Sequence, residues 1–294
     1  MTKEYSKWPE STFLSTSIDW KKAKSITAGV DIGTASSQAV ILADGQLYAY
    51  ANIRNTPNFK ETADDVIKKA LGNSGMTLKD ISAIGVTGFG KRNVDYGTAS
   101  LDEVHCHMKG ARFMFGPEVM TVVDLGAQTV KAIRLFDWDR VRDCVMNDIC
   151  ATGMGKNIEQ VCDLLHVPIT EIGQKSLDLG GKEDPEPVST TCYNFAKTET
   201  MGLFRPEYRA ESLTANEVYA SHLFAVEWRA LSTVGKLASL DPGDITVDGK
   251  LGLTGGMAKN VGITKRMERD LQTQALTSDI DPMLAGAIGA ALLA

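Results

Sequence analysis

The sequence predicts an α/β protein built from duplicated βββαβα domains around a cleft, and three observations carry that prediction. Residues 31–40 (DIGTASSQAV) and 124–133 (DLGAQTVKAI) share the pattern Asp-[Ile/Leu]-Gly-x-x-[Ser/Thr]-x-x-Ala-[Val/Ile], an internal repeat placed on two similar hairpins. Strand-like runs alternate with helix-like runs of period 3.6 between and after the two copies. A later strand breaks into the pair Gly255-Gly256 and a helix, and a closing helix is rich in Ala and Gly.

The elements follow in order. Residues 1–25 are polar, with Trp8 and Trp20 standing alone, and read as an N-terminal arm suited to docking on a partner. SITAGVDIG, SSQAVILA and QLYAYANI read as three consecutive antiparallel strands, the last two joined at Asp44-Gly45, a hairpin turn pair. ETADDVIKKALGNSG is an amphipathic helix ended by glycine. ISAIGVTGFGK is a buried strand entering a glycine loop, and DEVHCHMKGARFMFG is a second helix. TVVDLGAQTVKAIRLF restarts the pattern. A helix around Lys156–His166, a Gly/Pro-rich loop near Pro185 and helices from Cys192 to Leu240 come next. The expected boundaries are an arm at 1–25, a first domain at 26–120 closed by the helix at 281–294, and a second domain at 121–280.

Composition narrows the function. The 294 residues carry a net charge of -6, with 43% hydrophobic and 23% charged residues, and show no basic stripe of the kind nucleic-acid binding needs. No apolar run approaches the roughly 18–20 residues that span a bilayer, and MTKEYSKWPESTF lacks a signal-peptide core. A cytoplasmic protein without nucleic-acid or membrane partners is expected. The five cysteines form an odd set, so reduced thiols are expected and any special ones read as metal ligands or catalytic groups.

The repeated aspartate is the feature to explain. After Asp31, Gly33 lets the turn bring N–H groups near an anion, and Thr34 with Ser36 or Ser37 adds hydroxyl donors, which suits phosphate. A carboxylate beside phosphate needs a cation, so hydrated Mg²⁺ is the natural partner of Asp31. In the second copy, with Gly126 at the turn, Asp124 or Gln128 could orient an attacking water. Gly255-Gly256, followed by Met257 and Asn260, would let adenosine approach closely, with a helix N-terminus adding donors. Two phosphate loops, an adenosine loop and a closing helix in this order resemble the actin-like/Hsp70-like/hexokinase-like ATPase fold, which by itself leaves function open.

Two cysteines stand apart. Cys106, Cys144 and Cys162 read as small buried hydrophobes, and the His105-Cys106-His107 run cannot converge on one ion from a helix. Cys150 precedes Gly153 and Gly155 at a helix start, and Cys192 follows Ser189 and Thr190, potential N-caps of another helix. Helix N-termini stabilise thiolates, and an iron–sulfur cluster is an anion that wants both. Two ligands are half of the usual four, so a second chain would supply the rest across a two-fold or pseudo-two-fold interface.

From about Ile26 to Ala294 the chain resembles the family of ATP-dependent activators of 2-hydroxyacyl-CoA dehydratases and ATPase subunits of benzoyl-CoA reductase. The resemblance rests on Asn147-Asp148-x-Cys150-Ala151-x-Gly153-x-Gly155, Ser189-Thr190-x-Cys192-x-x-Phe195-Ala196, Thr87-Gly88-Phe89-Gly90-Lys91, Cys106-His107-x-x-Gly110-Ala111 and Thr254-Gly255-Gly256-Met257-Ala258-x-Asn260. It implies a [4Fe–4S] cluster shared between two homologous subunits, with Cys150 and Cys192 as this chain's ligands in the second domain. It also implies ATP and Mg²⁺ at Asp31, Gly33, Asp124, Gly126, Gly255 and Gly256, and hydrolysis that drives electrons to a partner. Dehydratase activators usually have lysine where this chain has Gln38, an acid where it has Thr129, and Ala-Glu-Ser-Glu where it has Ala196-Lys197-Thr198-Glu199.

Those departures, the arm and the insert near Pro185 favour a subunit of benzoyl-CoA reductase. It would take electrons from reduced ferredoxin, hydrolyse ATP, and pass them to two substrate-reducing iron–sulfur subunits that dearomatise benzoyl-CoA. The alternative is a homodimeric activator of a 2-hydroxyacyl-CoA dehydratase.

Overall fold

The structure, a computed structural model, describes residues 5–136, 140–147, 153–190, 192–203, 213–239 and 250–294. In chain order its elements are β1 (Ser11–Leu14), β2 (Ile26–Ile32), β3 (Ser36–Ala43), β4 (Gln46–Arg54), α1 (Phe59–Leu71), β5 (Ala83–Thr87), β6 (Ala99–Ser100) and α2 (Glu103–Phe115). There follow β7 (Thr121–Leu125), β8 (Val130–Phe136), β9 (Arg140–Met146), α3 (Met154–Leu165), α4 (Ile169–Lys175), α5 (Tyr193–Leu203), α6 (Ala215–Ser239), β10 (Leu251–Thr254), α7 (Val261–Asp270) and α8 (Ala285–Leu293). They divide into two compact units: the described residues of Met1–Trp8, Val123–Ala132 and Cys144–Ala275, and those of Pro9–Val122, Ile133–Asp143 and Leu276–Ala294.

The unit holding Asp31 is built on a six-stranded sheet in the order β1-β4-β3-β2-β5-β6. The β2–β3–β4 meander is antiparallel, and β5 adds parallel to β2. Asp44 and Gly45 both have positive φ, which gives the β3–β4 hairpin the primed turn its twist requires. Residues of the sequence-predicted arm form β1, which pairs with β4 from Ser11↔Asn52 to Leu14↔Ala49. Glu10 accepts hydrogen bonds from Arg54 N (2.9 Å) and Lys69 Nζ (2.8 Å). Trp20 donates its indole N–H to the Ser74 carbonyl at 3.1 Å and packs with Ile18 and Ala23 against the core.

Helices α1 and α2 of this unit begin at side-chain caps and end at glycine. Asn58 accepts from Lys60 N and Glu61 N at the start of α1, and Asp102 accepts from His105 N at the start of α2. Gly72 and Gly116, both at positive φ, end them. The small-residue face of α8 lies backbone against backbone on its neighbours. A Cβ added at Gly29 would overlap the Ala287 carbonyl oxygen, one at Gly85 that of Ala290, and one at Gly289 that of Cys106.

The unit holding Asp124 contains part of a four-stranded sheet ordered β10-β7-β8-β9. Its core joins Val123, Leu125 and Leu253 from the strands to Ile158 and Val161 of α3, Ile172 of α4, Leu223 and Val226 of α6 and Ile263 of α7. Helix α4 has no counterpart in the sequence prediction. Its seven residues follow Pro168 and carry Ile169 and Ile172, a pattern too short to separate from the loop before the insert. Tyr5 of the arm docks in this unit, where its carbonyl accepts from Ile169 N at 2.9 Å and its hydroxyl bonds His166 Nδ1 at 2.8 Å. Among the described residues no helix is long and apolar enough to cross a membrane.

Candidate functional site

Strand β2 delivers Asp31 to its C-terminal end, where the carboxylate is nearly buried. The turn behind it has no room for a side chain: a Cβ at Gly33 would lie 2.6 Å from the Ser36 carbonyl oxygen. Asn55 Nδ2 donates to the Gly33 carbonyl at 2.8 Å, and Ser37 Oγ donates to Asn55 Oδ1 at 2.7 Å, so the turn is braced from β3 and the end of β4. Thr34 and Ser36 are half-buried at the turn. Gln38, across from Asp31 in the β2–β3 register, donates to Ser36 Oγ at 3.0 Å and to Asn52 Oδ1 at 2.9 Å.

Gly88 and Gly286 close on Asp31. Gly88 has φ +88°, and a Cβ there would overlap the Asp31 carboxylate and lie 2.6 Å from the Ile32 carbonyl. A Cβ at Gly286, in the first turn of α8, would overlap the same carboxylate from another side. Gly88 belongs to the Thr87–Lys91 motif, but nothing in the sequence pairs a C-terminal helix glycine with residue 31. Gly90 N–H donates to the Ile32 carbonyl at 2.9 Å, and the exposed Phe89 ring meets Phe59 edge-on at 6.0 Å.

The second copy has the same plan with different partners. Asp124, at the end of β7, accepts from Lys131 Nζ at 3.1 Å and from Thr254 Oγ1 at 3.4 Å. Gly126 N–H donates to the Thr129 carbonyl at 2.9 Å, closing the turn that carries the half-buried Gln128. Gly255, at φ +85°, lies against this turn: an added Cβ would stand 2.5 Å from the Leu125 carbonyl and 2.7 Å from Asp124 Oδ1. Gly256 opens the short turn after it, Met257 is buried, and Asn260 caps α7 by accepting from Gly262 N and Ile263 N.

The helix that follows the first predicted cysteine reaches this loop directly. At the start of α3, Gly155 N–H donates to the Gly126 carbonyl at 3.2 Å and Lys156 N–H to the Ala127 carbonyl at 2.9 Å. Cys150 itself lies outside the described residues. Cys192 is a free, half-buried thiol whose carbonyl accepts from Ala196 N at 3.1 Å, which places it as the N-cap of α5. A thiol in that position, with the first N–H groups of a helix beyond it, fits a thiolate ligand to an anionic cluster. Among the described residues no group of three or more His, Cys, Asp or Glu could hold a metal ion.

The other cysteines differ in setting. Burial pushes the thiols of Cys106 and Cys162 up to about 12. Cys144, expected to be buried, is half-buried on β9, a strand whose residues are only partly covered. In the His105–His107 run, His105 bonds Asp102 at 2.9 Å while Cys106 is fully buried.

Matching aspartate–glycine turns on two hairpins, with a third glycine turn against the second, belong to a protein of the actin-like ATPase fold. The family model described as the BadF/BadG/BcrA/BcrD ATPase family matches residues 28–294, and the chain belongs to that family. The activator of lactoyl-CoA dehydratase from Anaerotignum propionicum is 32% identical over 268 residues, 91% of this chain and 96% of the relative. The structure of the activator of the 2-hydroxyisocaproyl-CoA dehydratase from Clostridium difficile with bound ADPNP superposes with a TM-score of 0.78 at 30% identity, covering 92% and 94% of the two chains. A benzoyl-CoA reductase subunit from Thauera aromatica is 28% identical over 277 residues, 91% of this chain and 92% of the relative.

Proposed function

We propose that this chain is an ATP-hydrolysing, cytoplasmic electron-transfer subunit of a benzoyl-CoA reductase, sharing a [4Fe–4S] cluster with a homologous subunit. The observation that carries the reading is the double hydrogen bond from the first turn of α3 to the Gly126 and Ala127 carbonyls. It joins the aspartate loop expected to meet phosphate to the segment that follows Cys150, so a nucleotide-dependent shift of one would be felt by the other. Asp31 would hold Mg²⁺. Thr34, Ser36 and the N–H groups of the Gly33 turn would face phosphate, Gly126 would let the second turn approach it closely, Asp124 and Gln128 would orient water, and Gly255, Gly256, Met257 and Asn260 would border adenosine. Cys150 and Cys192 would be the cluster ligands.

The bound cluster would supply one-electron storage between reduced ferredoxin and two substrate-reducing iron–sulfur subunits. Reduction of an aromatic ring is uphill for an ordinary donor, and each 59 mV of extra driving force for one electron costs about 1.4 kcal/mol. Hydrolysis linked to a conformational change can supply it. Gln38, Thr129, the docked N-terminal residues and the insert near Pro185 favour the reductase. Dehydratase activators at 27–32% identity stand beside the reductase chain at 28%, and the second reading is a homodimeric activator of a 2-hydroxyacyl-CoA dehydratase.

Anaerobic purification from a tagged chain tests both. Co-purification of three further subunits, iron and labile sulfide, and ATP-dependent reduction of benzoyl-CoA are the expected outcome. A homodimer that contains the cluster and activates a dehydratase instead would establish the second reading. ATP turnover without iron or sulfide would overturn both.

A further inference from the structure

The segment that carries Cys192 is held from two sides. Ser189 donates its backbone N–H to Glu199 Oε2 at 2.6 Å, reaching onto α5. The Thr190 carbonyl accepts the Nε–H of Arg229, which projects from α6. Before these anchors Val188 is buried in a small core with Ala196 and Leu203 of α5 and Val218 and Ala225 of α6. After them Tyr193 is buried beside His222 of α6, ring centroids 6.3 Å apart. Described residues on both sides of Cys192 are therefore held in place. Arg229 is half-buried, so its guanidinium is kept beside the segment rather than left to sample solvent. A hydrogen bond from a charged donor to a carbonyl is also stronger than a neutral one.

We propose that Arg229 is a positioning residue for Cys192: together with Glu199 it fixes the thiol-bearing segment, and its charge makes electron uptake at the cluster easier. This rests on the cluster-sharing function proposed above. Uptake of one electron from reduced ferredoxin makes an already anionic centre more negative by one charge. A guanidinium bonded two residues before a ligand stabilises that more negative state. Lysine at 229 would keep the charge and lose the planar fork, whereas glutamine would keep a donor and lose the charge. The two roles can therefore be separated.

Arg229→Gln, Arg229→Lys and Glu199→Gln are compared with the parent chain by three measurements. These are hydrogen exchange over residues 188–196 in the metal-free protein, iron and sulfide content after anaerobic reconstitution, and the cluster midpoint by EPR-monitored titration. In Arg229→Gln, exchange over the segment should rise about tenfold. Cluster binding should weaken about ten- to a hundred-fold, as for other residues that orient metal ligands, and the midpoint should become more negative. Arg229→Lys should keep the parent midpoint while losing part of the protection. Glu199→Gln, which retains an acceptor, should leave the midpoint unchanged. Parent-like exchange, metal content and midpoint in Arg229→Gln would overturn the proposal. If the parent takes up no iron in any assembly while exchange still rises in Arg229→Gln, the electron-uptake half and the proposed function fall together and the anchoring half stands. Should Arg229→Gln fail to fold, Arg229→Lys carries the exchange and midpoint comparison, and parent-like protection there would overturn the anchoring role.

Discussion

The Lys131 ammonium lies 3.1 Å from the Asp124 carboxylate, with the two side chains only 7% and 4% exposed. A buried pair of this kind contributes little against an apolar replacement, but removing one partner strands the other charge, at a cost of about 3–5 kcal/mol. The internal repeat sharpens the point, because the residue seven places after Asp31 is Gln38, which spends its amide on Ser36 and Asn52. Lys131→Met should therefore destabilise the chain by about 3–5 kcal/mol in urea unfolding, and Asp124→Asn added to it should recover part of that loss. Losses that simply add would show that the two residues are not coupled.

Gly286 meets Asp31 through the end of a side chain, a cheaper clash than one with backbone. Gly286→Ala should turn the Asp31 carboxylate aside while α8 stays packed, and misplacing a catalytic group by about 1 Å can cost on the order of a hundredfold in rate. ATP hydrolysis is expected to fall by at least tenfold with little change in melting temperature. Gly88→Ala should do worse on stability, because its positive φ and the Ile32 carbonyl both resist a Cβ. Parent-like hydrolysis in Gly286→Ala would separate Asp31 from the nucleotide chemistry.

The repeat at 31–40 and 124–133 made the two hairpins legible, and the Ala/Gly run at the C-terminus made the backbone contacts of α8 legible, because both signals are local and periodic. The partners of Asp31 and Asp124 were not. Gly286 reaches Asp31 from 255 residues away, and Lys131 occupies an unassigned position of the repeat whose role depends on being buried opposite Asp124. The insert near Pro185 reads as a loop, yet Asp184 pairs with Arg269 at 2.9 Å and Lys182 with Glu217, contacts set by tertiary packing that no local pattern announces. Likewise Ser11–Leu14 lies in a largely polar stretch that reads as an arm, and an open edge at β4 makes it a strand.

The docking of Trp20 in its own chain predicts a loss measurable without any partner. Its indole bonds the Ser74 carbonyl and covers the core beside Ile18 and Ala23. Trp20→Ala should cost about 2–3 kcal/mol in the isolated protein, below the value for a fully buried tryptophan because the ring is half-exposed. An unchanged urea midpoint would mean that the Trp20 ring contributes nothing to the fold.

Glu227 on α6 gives the chain an internal pH dependence. Its side chain is fully buried. Burial, reinforced by Asp270 and opposed by Arg266 and Arg269 on α7, pushes its carboxyl up to about 8 from an ordinary 4.5. The folded protein therefore keeps a proton that the unfolded chain has lost, and stability attributable to this group falls as pH rises from about 4.5 to about 8. Below that window both states are protonated, and above it both are ionised, so the contribution is flat at either end. Glu227→Gln stays neutral throughout and should gain on the parent steadily across the window, by up to a few kcal/mol at its upper end. Urea unfolding of both proteins at intervals of pH measures the gap directly. A gap that does not change between those limits would show that Glu227 is ionised in the fold, with Arg266 or Arg269 as its compensating charge.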